Sequence, residues 1–434
     1  MGCSMARSTL VPLLCMIWLA GCDGEAATRW SGVMRDSAGV TIVSNPDSGF
    51  LPPDLLPTAR EELRIGRMDG PAELQFGAIV GAAVDGSGNI YVLDALARRV
   101  RVFDSDGRFL REMGGPGEGP GEMSSRVMLV MLGPGDTVLV ADGGQRRVIR
   151  FTPDGNPAGS FLLPSTDGEP LRFASLPDGR IVQQARRLPT QDAPIIEERD
   201  RLLVRNTSGT VVDTLSLLPA GAGMRMSASG MQYFYFASEP FWQIDNRGRL
   251  IYGMNSEYRI EVHDAAGKLE RVITKEHSPI PVSEKDRAGI LEFMRQGMLR
   301  ANRPPAEIDR TFRATAFAEF YPAYSYFVPG PRGTLWVQRV RTSAELADRP
   351  FNASEVRSPR WDLFDPQGRL AGTVTLPDGF VPLQTVGDGF IGMWRDEWDV
   401  QHIVRLRIAG LDAVAGAVSR AADSIPAGAH APGT

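Results

Sequence analysis

One pattern returns in fixed register with a period of 48 residues. Asn89-Ile-Tyr-Val-Leu-Asp94 comes back as Thr137-Val-Leu-Val-Ala-Asp142. Val100-Arg-Val-Phe103 followed by Asp106-Gly107 comes back as Val148-Ile-Arg-Phe151 followed by Asp154-Gly155, and Gly66 and Gly114 keep the same spacing. A repeat of this length restricts the fold sharply. Each unit is one supersecondary motif that buries its apolar faces only against its neighbours, as in a solenoid or a propeller. Within the unit, short β-branched and apolar runs alternate with Gly and Asp turn signals, which predicts four antiparallel strands joined by tight hairpins.

Looser copies follow. Turn signals at Pro177-Asp-Gly179, Asp245-Asn-Arg-Gly248, Gly330-Pro-Arg-Gly333 and Gly387-Asp-Gly389 each lead into an apolar run. Second strands therefore fall near residues 90, 138, 181, 250, 335 and 391, six in all. The expected fold is all-β: a six-bladed β-propeller with four-stranded blades over residues 62–408. The segment from Asn89 to Met123 carries Ile90-Tyr-Val-Leu-Asp94, Arg99-Val-Arg-Val-Phe-Asp104, Asp106-Gly107 and the Gly-rich run from Gly114 to Glu122. It resembles the NHL repeat, and the chain as a whole resembles the bacterial six-bladed β-propeller lipoproteins. That resemblance implies a scaffold and no particular reaction, since the fold hosts lyases, lactonases and plain binders.

One stretch breaks the β pattern. Ser283-Glu-Lys-Asp286 is a capping-box start, and Ile290, Met294 and Met298 follow at i+4 spacing. Pro304-Pro305 restarts a helical pattern with Ile308, Phe312, Ala316 and Phe320. A helical hairpin over about 283–320 is predicted between blades four and five.

The N-terminus reads as an address. All three cysteines, Cys3, Cys15 and Cys22, lie in the first 22 residues, so the body of the chain has no disulfide framework. Arg7 precedes an apolar run too short to span a bilayer, and the run ends in Leu19-Ala-Gly-Cys22. This resembles the lipobox of bacterial lipoproteins and implies a signal peptide over 1–21 and lipid attachment at Cys22. Residues 22–61 are expected to be a tether with an extra strand, and 409–434 a flexible tail. A propeller must hide its sheet edges, and the last blade lacks a fourth strand. Glu62 to Gly66 is expected to supply it, with Val40-Thr-Ile-Val43 as the rival.

Candidate chemistry is sparse. The net charge of −5 excludes an electrostatic nucleic-acid binder, and 44 of the 47 basic residues are Arg. Asp94 and Asp142 share one repeat position. They are expected to be structural strand-end carboxylates, the alternative being part of a Ca²⁺ site at the channel mouth. The four histidines, His263, His277, His402 and His430, share no repeat position, so no zinc set is expected. Gly114 to Gly121 lacks the Lys-Ser/Thr pair of a phosphate loop. Phe234 and Phe236 are expected in the core of blade four. Arg225, Tyr233 and Tyr235 are the candidates for a ligand-binding rim, because strand alternation turns the two tyrosines the other way. The functional expectation is a monomeric, non-enzymatic scaffold on the bacterial cell envelope, without a cofactor, that binds a protein, peptide or glycan. The alternative is a lactonase- or lyase-like envelope enzyme with a metal ion in the channel. Metabolic labelling with a palmitate analogue tests the address: wild-type chain takes the label, and Cys22→Ser loses it and leaves the membrane fraction.

Overall fold

The computed structural model describes residues 30–187, 199–221, 223–227, 230–346 and 357–414. Residues 1–29, with Cys22 and the expected signal peptide, and residues 415–434 lie outside them. Blade one is Ile79–Val84, Ile90–Asp94, Arg99–Phe103 and Phe109–Gly114, and blade two is Val127–Leu132, Val138–Asp142, Arg147–Phe151 and Pro157–Leu162. Blade three is Glu169–Ser175, Ile181–Arg186, Arg199–Arg205 and Val211–Pro219. Blade four is Pro240–Ile244, Leu250–Met254, Arg259–His263 and Leu269–Lys275. Blade five is Tyr326–Pro329, Leu335–Val340, Arg357–Phe364 and Leu370–Thr375. Blade six is Val381–Val386, Gly389–Arg395 and Gln401–Ala409, completed by Thr58–Ile65. The six-bladed, four-stranded expectation holds.

The second strands explain why alternation is weak in the sequence. Every residue of Ile90–Asp94 and of Val138–Asp142 is buried, since neighbouring blades cover both faces. The hairpins share one device. Asp85, Asp104, Asp245, Asp264 and Asp365 each accept the backbone N–H groups two and four residues on. The residue between is a glycine at positive φ, 86° at Gly368, where a side chain would be strained.

The N-terminal strand Thr58–Ile65 pairs antiparallel with Gln401–Ala409, from Ile403 opposite Ile65 to Ala409 opposite Thr58. It begins four residues before Glu62, so the propeller starts inside the segment read as tether. The rival Val40–Asn45 has a different role. It forms a hairpin with Val33–Ser37 and adds in parallel to Leu269–Lys275, making blade four six-stranded. Residues 46–57 then cross the outer edge of blade five, where Phe50 and Leu51 donate to the carbonyls of Leu370 and Ala371. The segment 30–65 is thus a strap over blades four, five and six. At the other terminus, Leu411 and Val414 are buried, although residues from 409 read as a tail.

Asn45 pins the strap. Its amide donates to the carbonyls of Thr274 (3.0 Å) and Gly368 (2.9 Å) and accepts from Leu370 N–H (2.7 Å) and the Trp30 indole (2.9 Å). Asn45→Ala strands these buried groups and is expected to lower stability by about 2–4 kcal/mol. Urea unfolding checks this, and a loss within about 0.5 kcal/mol, the usual surface value, means that the strap is cladding.

Candidate functional site

In an antiparallel meander, the first and third connections of every blade lie on one face of the ring, the turn face. The second connections and the links between blades lie on the other, the loop face. The loop face carries the elaborations. The link between blades three and four contributes Met224–Ser227 and Gly230–Tyr235. The link between blades four and five contributes α1 (Glu284–Arg300), α2 (Pro305–Arg313) and Thr315–Phe317. The three strands form a small sheet, with Gly230–Tyr235 parallel to Thr315–Phe317. The helical hairpin stands where expected, but α2 stops at Arg313, because β-branched Thr315 begins a strand that the small sheet recruits.

The roof is fixed by its own apolar cluster. Val282, Ile290 and Tyr321 pack on Val340 and Leu346 of blade five, with Tyr235, Phe236, Met294 and Phe317 around them. Asp286 is the polar pin. Its carboxylate accepts from Ser283 N–H (2.7 Å) and Oγ (2.6 Å), closing the capping box, and from Ser343 N–H (3.2 Å) of blade five. Burial pushes the Asp286 carboxyl up, but these donors outweigh it and hold it below its ordinary value.

Phe234 and Phe236 do not belong to the core of blade four, contrary to the expectation from their composition. Phe234 stands on a roof strand and Phe236 just beyond its end, and Pro240–Ile244 is the inner strand of blade four. Tyr235 is half-buried against Phe317, with ring centroids 5.8 Å apart, whereas Tyr233 is exposed. Arg225 lies on Met224–Ser227, beside Gln232 in register. Asp94 accepts from the N–H groups of Gly77, Ala78, Leu96 and Ala97 and from Arg101. Asp142 accepts from Ser124, Gly144 and Gln145. Each carboxylate ties a loop-face turn to the link before its own blade. Among the described residues no group of three His, Cys, Asp or Glu side chains is placed to hold a metal ion.

Beneath the roof lies a polar network that the repeat pattern did not disclose. Blade three departs from the repeat. At its turn-face end, on the side toward blade two and apart from this network, blade three places Arg205, 1% exposed, where blades one and two place the fully buried Phe103 and Phe151; Arg205 donates to Gln183, to the Gly209 carbonyl and to Asp167. Where blades one and two place Leu93 and Ala141, blade three places Gln184. Gln184 accepts from the Trp242 indole (2.7 Å) and donates to Asp200 (2.7 Å), which Arg186 holds through two hydrogen bonds of 2.6 and 2.8 Å. Arg172, opposite Gln184, stacks 5.1 Å from the Trp242 ring and reaches past blade four to the Tyr326 hydroxyl of blade five (3.3 Å). Gln243 donates to the same oxygen (2.7 Å), and the Arg357 guanidinium stands 5.7 Å from the Tyr326 ring. Neither Arg172 nor Arg357 has a carboxylate at ion-pair distance among the described residues. Burial pushes the Glu239 carboxyl above its ordinary value, against the pull of Gly223 N–H and Arg186. The mouth at blades three to five therefore presents guanidinium, phenol and amide groups on an aromatic wall.

The chain is in class a six-bladed β-propeller with a roofed loop face. A family model described as a 6-bladed beta-propeller matches residues 80–159, most of blades one and two. No curated protein matches the chain. Among solved structures, a Bacteroides fragilis protein described as exported is similar at 13% identity and a TM-score of 0.51, over 85% of this chain and 99% of that one. Virginiamycin B lyase from Staphylococcus aureus is similar at 13% identity and a TM-score of 0.40, over 80% and 99%. A duf4221-family protein from Bacteroides vulgatus is similar at 11% identity and a TM-score of 0.47, over 81% and 98%. At these identities the likeness is one of fold.

Asp286→Ala is expected to loosen the roof by about 1–3 kcal/mol, read as faster hydrogen exchange in α1 and α2 while the blades stay protected. The depressed carboxyl gives the pH dependence its sign. The contribution is complete above the ordinary aspartate value of about 4 and drains away as pH falls below it. Roof exchange in the wild type should therefore rise selectively in acid, and Asp286→Ala should abolish that selectivity.

Proposed function

We propose that the chain is an envelope binding scaffold, lipid-anchored through Cys22, whose roofed mouth recognises an anionic group on a protein, peptide or glycan. One observation carries the reading: Arg172 and Arg357 converge on Tyr326 with no carboxylate partner among the described residues. A partly buried guanidinium such as that of Arg172 is costly without a counter-charge. A carboxylate delivered by a partner removes that cost while gaining charge-assisted hydrogen bonds. Tyr326, Trp242 and Gln243 supply the stacking and neutral donors that orient a bound group, and arginine with aromatics is the composition of interface hot spots. Tyr233 stands exposed on the roof. Anchoring is supported by the lipobox-like run at Leu19 to Cys22, and no helix among the described residues is long and apolar enough to cross a membrane.

The test uses two probes on the purified chain, a glutamate-rich peptide and a uronic-acid oligosaccharide, titrated calorimetrically. One of them is expected to bind, with affinity falling at least about tenfold in Arg172→Ala and in Arg357→Ala, the loss of one charge-assisted contact. Binding of equal strength in both variants rejects the mouth as the recognition site.

A further inference from the structure

The turn face holds a second concavity that owes nothing to the roof. Three first turns and one later turn converge there: residues 245–249 of blade four, 329–335 and 365–366 of blade five, and 385–387 of blade six. They enclose a cavity of about 330 Å³, within the range of small-ligand sites. Ile251, Ile273 and Leu335 supply apolar surface, and Arg249 and Arg271 stand in the wall.

The charges around it are paired with one exception. Asp245 is held by Arg249 (2.8 Å), and Asp365 by Arg369 (2.7 Å). Arg332, at the rim, is held by Asp388 and Asp412. Arg271 has no carboxylate at ion-pair distance among the described residues. Its Nη1 donates to the Pro366 carbonyl (2.6 Å), its Nε is buried without an acceptor, and its Nη2 meets no described partner. Arg249 spends only its Nε on Asp245, leaving both terminal nitrogens free of described partners. The Arg271 stem is confined against Gly368, where a Cβ would stand 3.4 Å from its Cδ. Burial first, and Arg249 second, hold the Arg271 guanidinium below its ordinary value. Two guanidinium groups in one half-buried wall, one of them unpaired, cost free energy that a shared counter-ion recovers.

We propose that this cavity is a binding site for a small organic oxyanion, held by Arg271 and Arg249 with its apolar part against Ile251, Ile273 and Leu335. The head group is a carboxylate or a phosphate, which guanidinium forks grip alike. The site is independent of the mouth, which lies on the opposite face.

Calorimetric titration of the full chain with benzoate, citrate and inorganic phosphate tests it. At least one anion is expected to bind at one equivalent and to bind about tenfold or more weakly in Arg271→Gln, the loss of one charge-assisted contact. Arg249→Gln is the second variant, which keeps the test decisive if Arg271→Gln does not fold. Arg172→Ala, on the other face, is expected to bind as wild type does. Benzoate above phosphate marks a carboxylate site with an apolar floor, and phosphate above both carboxylates marks a phosphate site. Failure of all three anions to bind wild type overturns the proposal, as does equal binding in both arginine variants. Loss of binding in Arg172→Ala alone also overturns it, by assigning the anion to the mouth.

Discussion

The structure depends on one pairing, that of Thr58–Ile65 with Gln401–Ala409. Every blade is apolar on both faces, and each face is covered only because a neighbour stands beside it. In a row of such sheets the two outer faces would lie open. In a ring none does, provided that the last blade is complete. The cluster that joins blades six and one contains Ile65, Ile79, Phe103, Ile391 and Ile403, contributed by both ends of the chain. The strap extends the closure by covering the outer edges of blades four and five before its chain becomes the fourth strand of blade six. At the new edge, Val33–Ser37 is exposed and carries Arg35 and Asp36, charges of the kind that discourage a further strand from adding.

Blade architecture was legible where the repeat is sharp. Ile90 to Asp94 and Val138 to Asp142 match residue for residue in type because their environments are the same, fully buried from two sides. The Asp and Gly turns were legible because only a short acceptor and a positive φ serve there. The strap was half legible: Glu62 to Gly66 stood in register with Leu110 to Gly114, but nothing local says that Val40–Asn45 pairs in parallel with Leu269–Lys275, far along the chain. The roof strands misled for a related reason. Met231 to Phe236 has the composition of a core strand, but Gly230–Tyr235 is the middle strand of a small sheet whose third member comes from beyond blade four.

The mouth was missed although a signal existed. Aligned on the second strand, blade three substitutes Gln184 for Leu93 and Ala141, and Arg172 for Gly81 and Leu129. Polar groups at apolar repeat positions are costly unless each finds a partner, so they stand out as a polar patch in an otherwise apolar repeat. What the degenerate copies share hides that signal; the positions at which they depart carry it. The arginine-rich composition blurred it further, since 44 arginines in one chain make any single one inconspicuous.

The ring closure also sets an order of events in time. Thr58 and Ala409, which face each other across the finished seam, are 351 residues apart in the chain. Blades one to five can each form from a contiguous stretch as it becomes available, but blade six waits for the last strand while its first-synthesised member stands idle. Until residue 409 has emerged, Thr58–Ile65 is an unpaired strand, and the faces of blades one and six that meet at the seam are bare. Long-range pairing of this kind is slow and leaves edges open to other chains. A polypeptide delivered across a membrane one end first would therefore arrive unlatched and lock only when its tail is through.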